Sequence, residues 1–395
     1  DEVTTKCDYR RMLIKGHSAR LICGYIYSNA GDEESTTDLV YSGHNLIVDN
    51  GTLLAESKIF SGETIYSDID VKRLVSERRK MTTYLPEVEE EYVSVYFDMD
   101  IIDTGITRYI ARFPFIPNDE KERNRRCEEI LDIQAHGLKK RLAHIHGSSA
   151  VIGLSGGLDS TLALLVTVKA FNLLDLPLEG ITCVTMPGFG TTDRTYNNAV
   201  SLAKILGTTL KEISIVPAVN QHFRDIEQDS NTHDITYENS QARERTQILM
   251  DIANKNNGLV IGTGDMSELA LGWATYNGDH MSMYAVNCSV PKTLVRYLVR
   301  YYADNNENCK AILFDILDTP VSPELLPPTA DGTISQKTED LVGPYELHDF
   351  YLYYMLRCGF SPRKIYRLAV DTFEGQYSKD VIKKWLTVFY KRFFA

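Results

Sequence analysis

Ser155-Gly156-Gly157-Leu158-Asp159-Ser160 stands between an apolar run at 150–154 and an apolar stretch ending at Phe171. The apolar run reads as a strand and the stretch after the loop as a helix. A helix start offers free backbone N–H groups and the positive end of a dipole, so it attracts phosphate. Two glycines let the backbone come close to that phosphate, and two serines add hydroxyl donors. Asp159 would repel a bare phosphate, but suits a Mg²⁺ that bridges phosphates. The Walker spacing G-x-x-x-x-G-K-[ST] and its lysine are absent.

Working outward, the alternation continues. Residues 180–186, 209–215 and 258–262 read as strands, and 194–206 and 239–255 as helices. Before the loop, Leu131, Ala135, Leu138, Leu142 and Ile145 fall at helical spacing within 119–146. Strands alternating with helices predict an α/β doubly wound parallel sheet, with ligands at the carboxyl ends of its strands. Beyond Pro291 the chain turns helical. It ends on a helix over 378–394 with a stripe of Ile382, Trp385, Leu386, Phe389 and Phe393.

Residues 1–117 read differently. Segments 21–27, 44–48, 52–55 and 92–97 are strand candidates, and Asp49-Asn50-Gly51 is a hairpin signal. A basic helix is expected over 70–80. Two prolines in Phe113-Pro114-Phe115-Ile116-Pro117-Asn118 mark a boundary. The expected domains are therefore 1–117 and 118–395.

Composition narrows the partners. The 395 residues are 43% apolar, enough for ordinary cores. Lys+Arg is 42 and Asp+Glu is 54, so the net charge is 42 − 54 = −12. No nucleic acid polymer and no membrane is expected as a partner. No run approaches the roughly 20 apolar residues that cross a bilayer. The seven cysteines are widely spaced, with no C-x-x-C, which argues against a disulfide framework or a cysteine zinc site. A cytoplasmic location is expected. The chain starts at Asp1 and stops at Ala395 inside an amphipathic run, and is expected to be a fragment.

The S-G-G-x-D-S loop resembles that of the ATP pyrophosphatases, which cleave between α- and β-phosphates. Other segments resemble NAD⁺ synthetases: 262–279 (Gly262-Thr263-Gly264-Asp265-Met266-Ser267-Glu268 onward), 187–192, 239–243, 290–294 and 322–325. Residues 34–40 with Asp49-Asn50-Gly51 resemble the end of the nitrilase-like glutaminase domain of glutamine-dependent NAD⁺ synthetases. The resemblance covers nearly the whole chain. It implies an adenine-nucleotide alpha hydrolase sheet, preceded by part of a nitrilase-like α/β sandwich.

The resemblance also implies a reaction and roles. Deamido-NAD⁺ is adenylated by ATP, then amidated by ammonia that glutamine supplies. The enzyme would be a C–N bond-forming ligase with ATP and Mg²⁺ as cofactors. Asp159, Glu268 and Lys292 would be catalytic, with Asp159 and Glu268 on the metal. ATP would contact Gly153, Leu154, Ser155, Gly156, Gly157, Leu158, Asp159, Ser160, Thr263 and Ser322. Deamido-NAD⁺ would contact Asn239, Arg243, Glu268, Trp273, Ala274, Thr275 and Tyr276. Arg243 and Arg245 could clamp phosphate oxygens, or form surface ion pairs; Trp273 could stack on a ring, or pack in a core. Lys6 lies near the glutamine contact.

The nucleophilic cysteine of a nitrilase-like glutaminase is not matched by Cys7 or Cys23, so this chain is expected to use free ammonia at best. The family also continues past a segment like 390–394 into a tail that supplies a lysine. A homo-oligomer is expected, a dimer through the synthetase domain or larger. Two other readings stay open: an asparagine-synthetase-like amidotransferase of the same fold, and a non-catalytic assembly module with a vestigial ATP site.

Overall fold

The computed structural model describes residues 1–83, 93–100, 102, 105–319, 325–326 and 338–395. The chain opens on α1 (Lys6–Leu21). Strands β1 (Gly24–Tyr27), β2 (Leu46–Asp49) and β3 (Thr52–Glu56) follow and form an antiparallel sheet in that order. Asn50 and Gly51 join β2 to β3 with φ of 46° and 78°. Those are the two positive values a two-residue hairpin turn requires. Ile14 of α1 packs on Leu46 and Val48.

Arg10, also buried on α1, reaches Glu2 at 2.7 Å and His44 Nδ1 at 2.7 Å. A guanidinium can only donate, so Nδ1 of His44 accepts. Its Nε2–H then donates to Glu56 at 2.7 Å. Helix α2 (Val71–Lys80) starts on Asp70, whose carboxylate accepts from the Arg73 N–H. The strand expected at 92–97 is corrected. Tyr92 lies outside the described residues, and 93–97 form no strand and are exposed. Alternation there meets no neighbouring strand among the described residues.

After α3 (Glu120–His144) come β4 (Ala150–Gly153), α4 (Leu158–Asn172), β5 (Ile181–Thr185), α5 (Asp193–Ile205) and β6 (Thr209–Glu212). Then come α6 (Val216–Asp225), α7 (Ile235–Lys255), β7 (Leu259–Gly262), α8 (Met266–Leu271) and β8 (Tyr284–Ala285). The chain closes with α9 (Lys292–Asp304), α10 (Glu307–Leu317), α11 (Thr338–Val342), α12 (Tyr345–Leu352), a π-helical turn (Tyr353–Arg357), α13 (Pro362–Thr372) and α14 (Lys379–Phe393). The strand expected to reach 215 ends at Glu212, because Pro217 opens α6 in its first turn. Helix α7 starts at Ile235, before the expected 239, because the Asp234 carboxylate accepts from Thr236 and Tyr237 N–H groups.

The five strands pair in parallel in the order β6-β5-β4-β7-β8. On β4, Ala150 and Ile152 face a core with α3, α4, α5, α9 and α10, while Val151 faces one with α6 and α7. Cys183 and Val184 of β5, and Ile261 and Val260 of β7, divide the same way. The sheet thus carries helices on both faces, as a doubly wound fold does. The order reverses between β4 and β7, where the carboxyl ends of the strands leave a crevice.

The chain forms two compact units. One is residues 1–111 with 353–376; the other is 112–352 with 377–395. The sequence reading puts a single boundary at 117/118, whereas these units meet at 111/112 and the first recruits 353–376 from far along the chain.

Candidate active site

The loop from Leu154 to Gly157 leaves the end of β4. Gly156 has φ +84°, and a Cβ there would lie 2.0 Å from the Thr195 carbonyl oxygen of α5. Only glycine fits that close approach. Ser155 and Ser160 hydroxyls are 3.1 Å apart, and the Gly157 N–H donates to Ser155 Oγ at 3.2 Å. Gly157 caps α4 without a side chain. The first-turn N–H groups of α4 therefore get no acceptor from the cap residue, which suits an anion.

Across the crevice, Asp265 follows β7 and caps α8. Its carboxylate accepts from the Glu268 N–H at 2.9 Å, and Glu268 returns a contact to the Asp265 N–H at 3.4 Å. This capping box fixes both carboxylates at one helix start. Asp159, Asp265 and Glu268 each offer an oxygen, all within 4.8 Å of one another. Lys292, from the first turn of α9, points its Nζ among them. It is 2.8 Å from Asp159, 2.7 Å from Asp265 and 2.7 Å from Glu268.

Three carboxylates and one ammonium sum to −3 + 1 = −2 when all are ionised. Burial opposes the charge on Lys292, but Asp159, Glu268 and Asp265 outweigh it and hold the ammonium well above its usual pKa. Burial pushes Asp265 up, against the attraction of Lys292. Burial likewise raises Glu268 to about 6, with Lys292 opposing and Asp159 adding. Asp159 Oδ1 is buried without a hydrogen bond. An all-oxygen donor set, a net charge of −2 and an unused carboxylate oxygen fit a hard divalent cation such as Mg²⁺.

Asn287, fully buried, ties the two sides together. Its Nδ2 donates to the Asp159 carbonyl at 2.9 Å and the Thr263 carbonyl at 3.1 Å. Its Oδ1 accepts from Gln134 at 3.2 Å. Thr263 is thereby held next to the phosphate-type loop, one residue past β7 and Gly262.

The other predicted residues fall around this crevice or away from it. Arg243 donates to the Tyr276 carbonyl at 3.1 Å, which joins α7 to the loop that carries Trp273, Ala274, Thr275 and Tyr276. Tyr276 is 70% exposed, and Arg392 lies over the Trp273 ring at 5.4 Å. Trp273 is thus half-buried rather than core. Asn239 is half-buried on α7. Arg245 donates to the Met186 carbonyl at 3.2 Å, just past the end of β5. Gly153 ends β4, and Leu154 donates its N–H to Val184 of β5 at 2.9 Å. Leu158 is buried in the core. Ser322 lies outside the described residues. Lys6 is in the first unit, where its Nζ donates to the Asp1 carbonyl at 2.6 Å.

Asp265 and Asn287 were not singled out from the sequence. The Asp-x-x-Glu spacing of a capping box at 265–268 was a readable signal for Asp265. Asn287 has none, since its role depends on two carbonyls far away in the chain.

The fold and the crevice define a doubly wound α/β domain with a candidate phosphate- and cation-binding site at its switch point. A family model described as NAD synthase matches residues 130–393, and the chain belongs to that family. The glutamine-dependent NAD(+) synthetase of Mycobacterium tuberculosis H37Rv is 39% identical over 424 aligned positions, covering 99% of this chain and 62% of that protein. The enzyme of that name from Thermotoga maritima is 29% identical, covering 92% and 59%. A solved structure of a glutamine-dependent NAD(+) synthetase from Cytophaga hutchinsonii covers 98% of this chain and 60% of its own, with a TM-score of 0.55 at 19% identity, a likeness of fold. The chain thus spans about 62% of the length of the curated mycobacterial relative.

Proposed function

We propose that this chain carries the ATP-dependent amidation of deamido-NAD⁺ to NAD⁺ through an adenylated intermediate. The observation that carries the reading is the Asp159–Asp265–Glu268–Lys292 cluster at the switch point of an NAD synthase sheet. A carboxylate oxygen of deamido-NAD⁺ attacks the α-phosphorus of ATP, and pyrophosphate leaves. Ammonia then attacks the acyl carbon, and AMP leaves with both electrons of the broken C–O bond. The protein's work is to position reactants and to neutralise charge.

The loop 154–157 and the uncapped start of α4 would hold the ATP phosphates, with Thr263 beside them. Asp159, Asp265 and Glu268 would hold Mg²⁺, which when bound shields phosphate charge and polarises the α-phosphate. Lys292 adds a point charge that no proton transfer removes at neutral pH. Asn239, Arg243 and residues 273–276 would receive deamido-NAD⁺, the aromatic rings facing its pyridinium or adenine.

Residues 1–117 belong, in this reading, to a nitrilase-like part of a glutamine-dependent enzyme, with Lys6 toward glutamine. We assign the whole enzyme to the cytoplasm as a homo-oligomer.

The test is incubation of the chain with ATP, Mg²⁺, deamido-NAD⁺ and ammonium, following AMP and NAD⁺. Both should form in equal amounts, and Asp159→Ala should abolish both while circular dichroism stays unchanged. AMP formation with aspartate in place of deamido-NAD⁺ would favour an asparagine-synthetase-like enzyme. ATP binding with no AMP would favour a vestigial module.

A further inference from the structure

We propose that Asp349 is a positioning residue that sets the spacing between Glu268 and Lys292. The inference rests on the reading of the carboxylate cluster as a cation site. Asp349 lies on α12, 1% exposed, and no salt bridge among the described residues includes it. A buried carboxylate without an ion pair is costly unless hydrogen bonds satisfy it. Asp349 has three. Its Oδ1 accepts from the Ser267 hydroxyl, and its Oδ2 accepts from the Thr293 N–H at 2.8 Å and the Thr293 hydroxyl at 2.6 Å.

Each of these bonds ends one residue from the cluster. Ser267 precedes Glu268, and Thr293 follows Lys292. Ser267 Oγ also accepts from the Lys292 N–H at 2.9 Å. Pro291, the residue that precedes α9, has no side-chain acceptor for the first turn of the helix. The first two N–H groups of α9 are therefore capped by side chains from α8 and α12. Capping from outside couples where α9 starts to where α8 starts. With that coupling, Nζ of Lys292 stays 2.7 Å from Glu268.

Removing the coupling frees Lys292 to leave the cluster. With all three carboxylates ionised, which sets the titration at alkaline pH, the local charge then moves from −2 toward −3, and a divalent cation is attracted more strongly. A purely structural loss would loosen the carboxylates and weaken the cation instead. The two roles therefore predict opposite signs.

The test is Mg²⁺ titration of the nucleotide-free chain by calorimetry. Asp349→Ala is expected to tighten Mg²⁺ binding about tenfold, in line with loss of one nearby positive charge at intermediate dielectric. Lys292→Met should tighten it by the same factor, and the double variant should add nothing further. Asp349→Asn keeps an acceptor for Thr293 and a group that bonds Ser267, so it should restore the wild-type affinity. Thr293→Val removes one bond only and should tighten binding slightly, which keeps the test open if Asp349→Ala does not fold. Weaker binding in Asp349→Ala, or additive effects in the double variant, would overturn the proposal. Absence of Mg²⁺ binding by the wild type would overturn the cation reading itself, and this inference with it.

Discussion

His348 neighbours Asp349 on α12 and is 1% exposed. One ring nitrogen, Nε2, contacts the Val342 carbonyl at 2.7 Å, so it carries the proton. Nδ1 is buried without a partner. Around the ring stand Tyr351, Trp385 and Phe389 at centroid distances of 6.1–6.2 Å. Burial drives the pKa from 6.5 to about 4, against the hydrogen bond to Val342 and with the help of Arg392. The unfolded chain takes up this proton near 6.5, and the folded chain only near 4. Between those values the unfolded state binds more protons, so stability falls as pH falls. The loss over the window is 2.5 pH units at about 1.36 kcal/mol each, about 3 kcal/mol.

The assay is urea unfolding at pH 7, 6, 5 and 4, at fixed ionic strength, for wild type and His348→Leu. At pH 7 the variant should be less stable by about 1–3 kcal/mol, because the Val342 carbonyl loses its donor. By pH 4 that deficit should shrink by about 3 kcal/mol, so the two curves converge or cross. Other carboxylates titrate in both proteins and cancel in the difference. Parallel curves would refute the neutral, buried assignment of His348. Because Asp349 follows it on the same helix, loss of α12 at low pH should also release the caps on α8 and α9.

Gly156→Ala should cost about 1–2 kcal/mol for the left-handed backbone alone. The 2.0 Å approach to Thr195 forces the loop to shift as well, so AMP formation should fall more than tenfold; near-normal turnover would contradict the role given to this loop. Asn287→Leu leaves the Thr263 carbonyl without its donor and should lower stability by about 1–3 kcal/mol in thermal unfolding. A wild-type melting point in that variant would mean that Asn287 is not the tie between β4 and β7.

The α/β pattern from 119 onward was legible because buried strands and helices of ordinary length leave apolar runs at period 2 and 3.6. Helix α1 was not legible. The side chains it buries are Arg10, Ile14 and Ser18, so two of three core-facing positions are polar and no apolar stripe forms. Arg10 is tolerated there because Glu2 and His44, both elsewhere in the chain, take its hydrogen bonds. Strand β8 has two residues, too few to show alternation. At the site, the loop 155–160 stood out by its glycines and serines between a strand and a helix, and Glu268 by its place in a segment that resembles the NAD⁺ synthetases. Asp349 was not, because its function is a set of contacts with residues 56 and 82 positions away.

The order β6-β5-β4-β7-β8 makes β4 and β7 immediate neighbours. Neighbouring strands lie about 4.8 Å apart across a sheet. The three carboxylate oxygens lie within 4.8 Å of one another. Asp159 leaves β4 through one short loop, and Asp265 leaves β7 through another. The pairing of β4 with β7 therefore delivers the starts of α4 and α8 side by side, and the loops and helix caps decide how close the carboxylates come. A shortened or lengthened loop would re-aim a carboxylate, while a strand inserted between β4 and β7 would part the two helix starts.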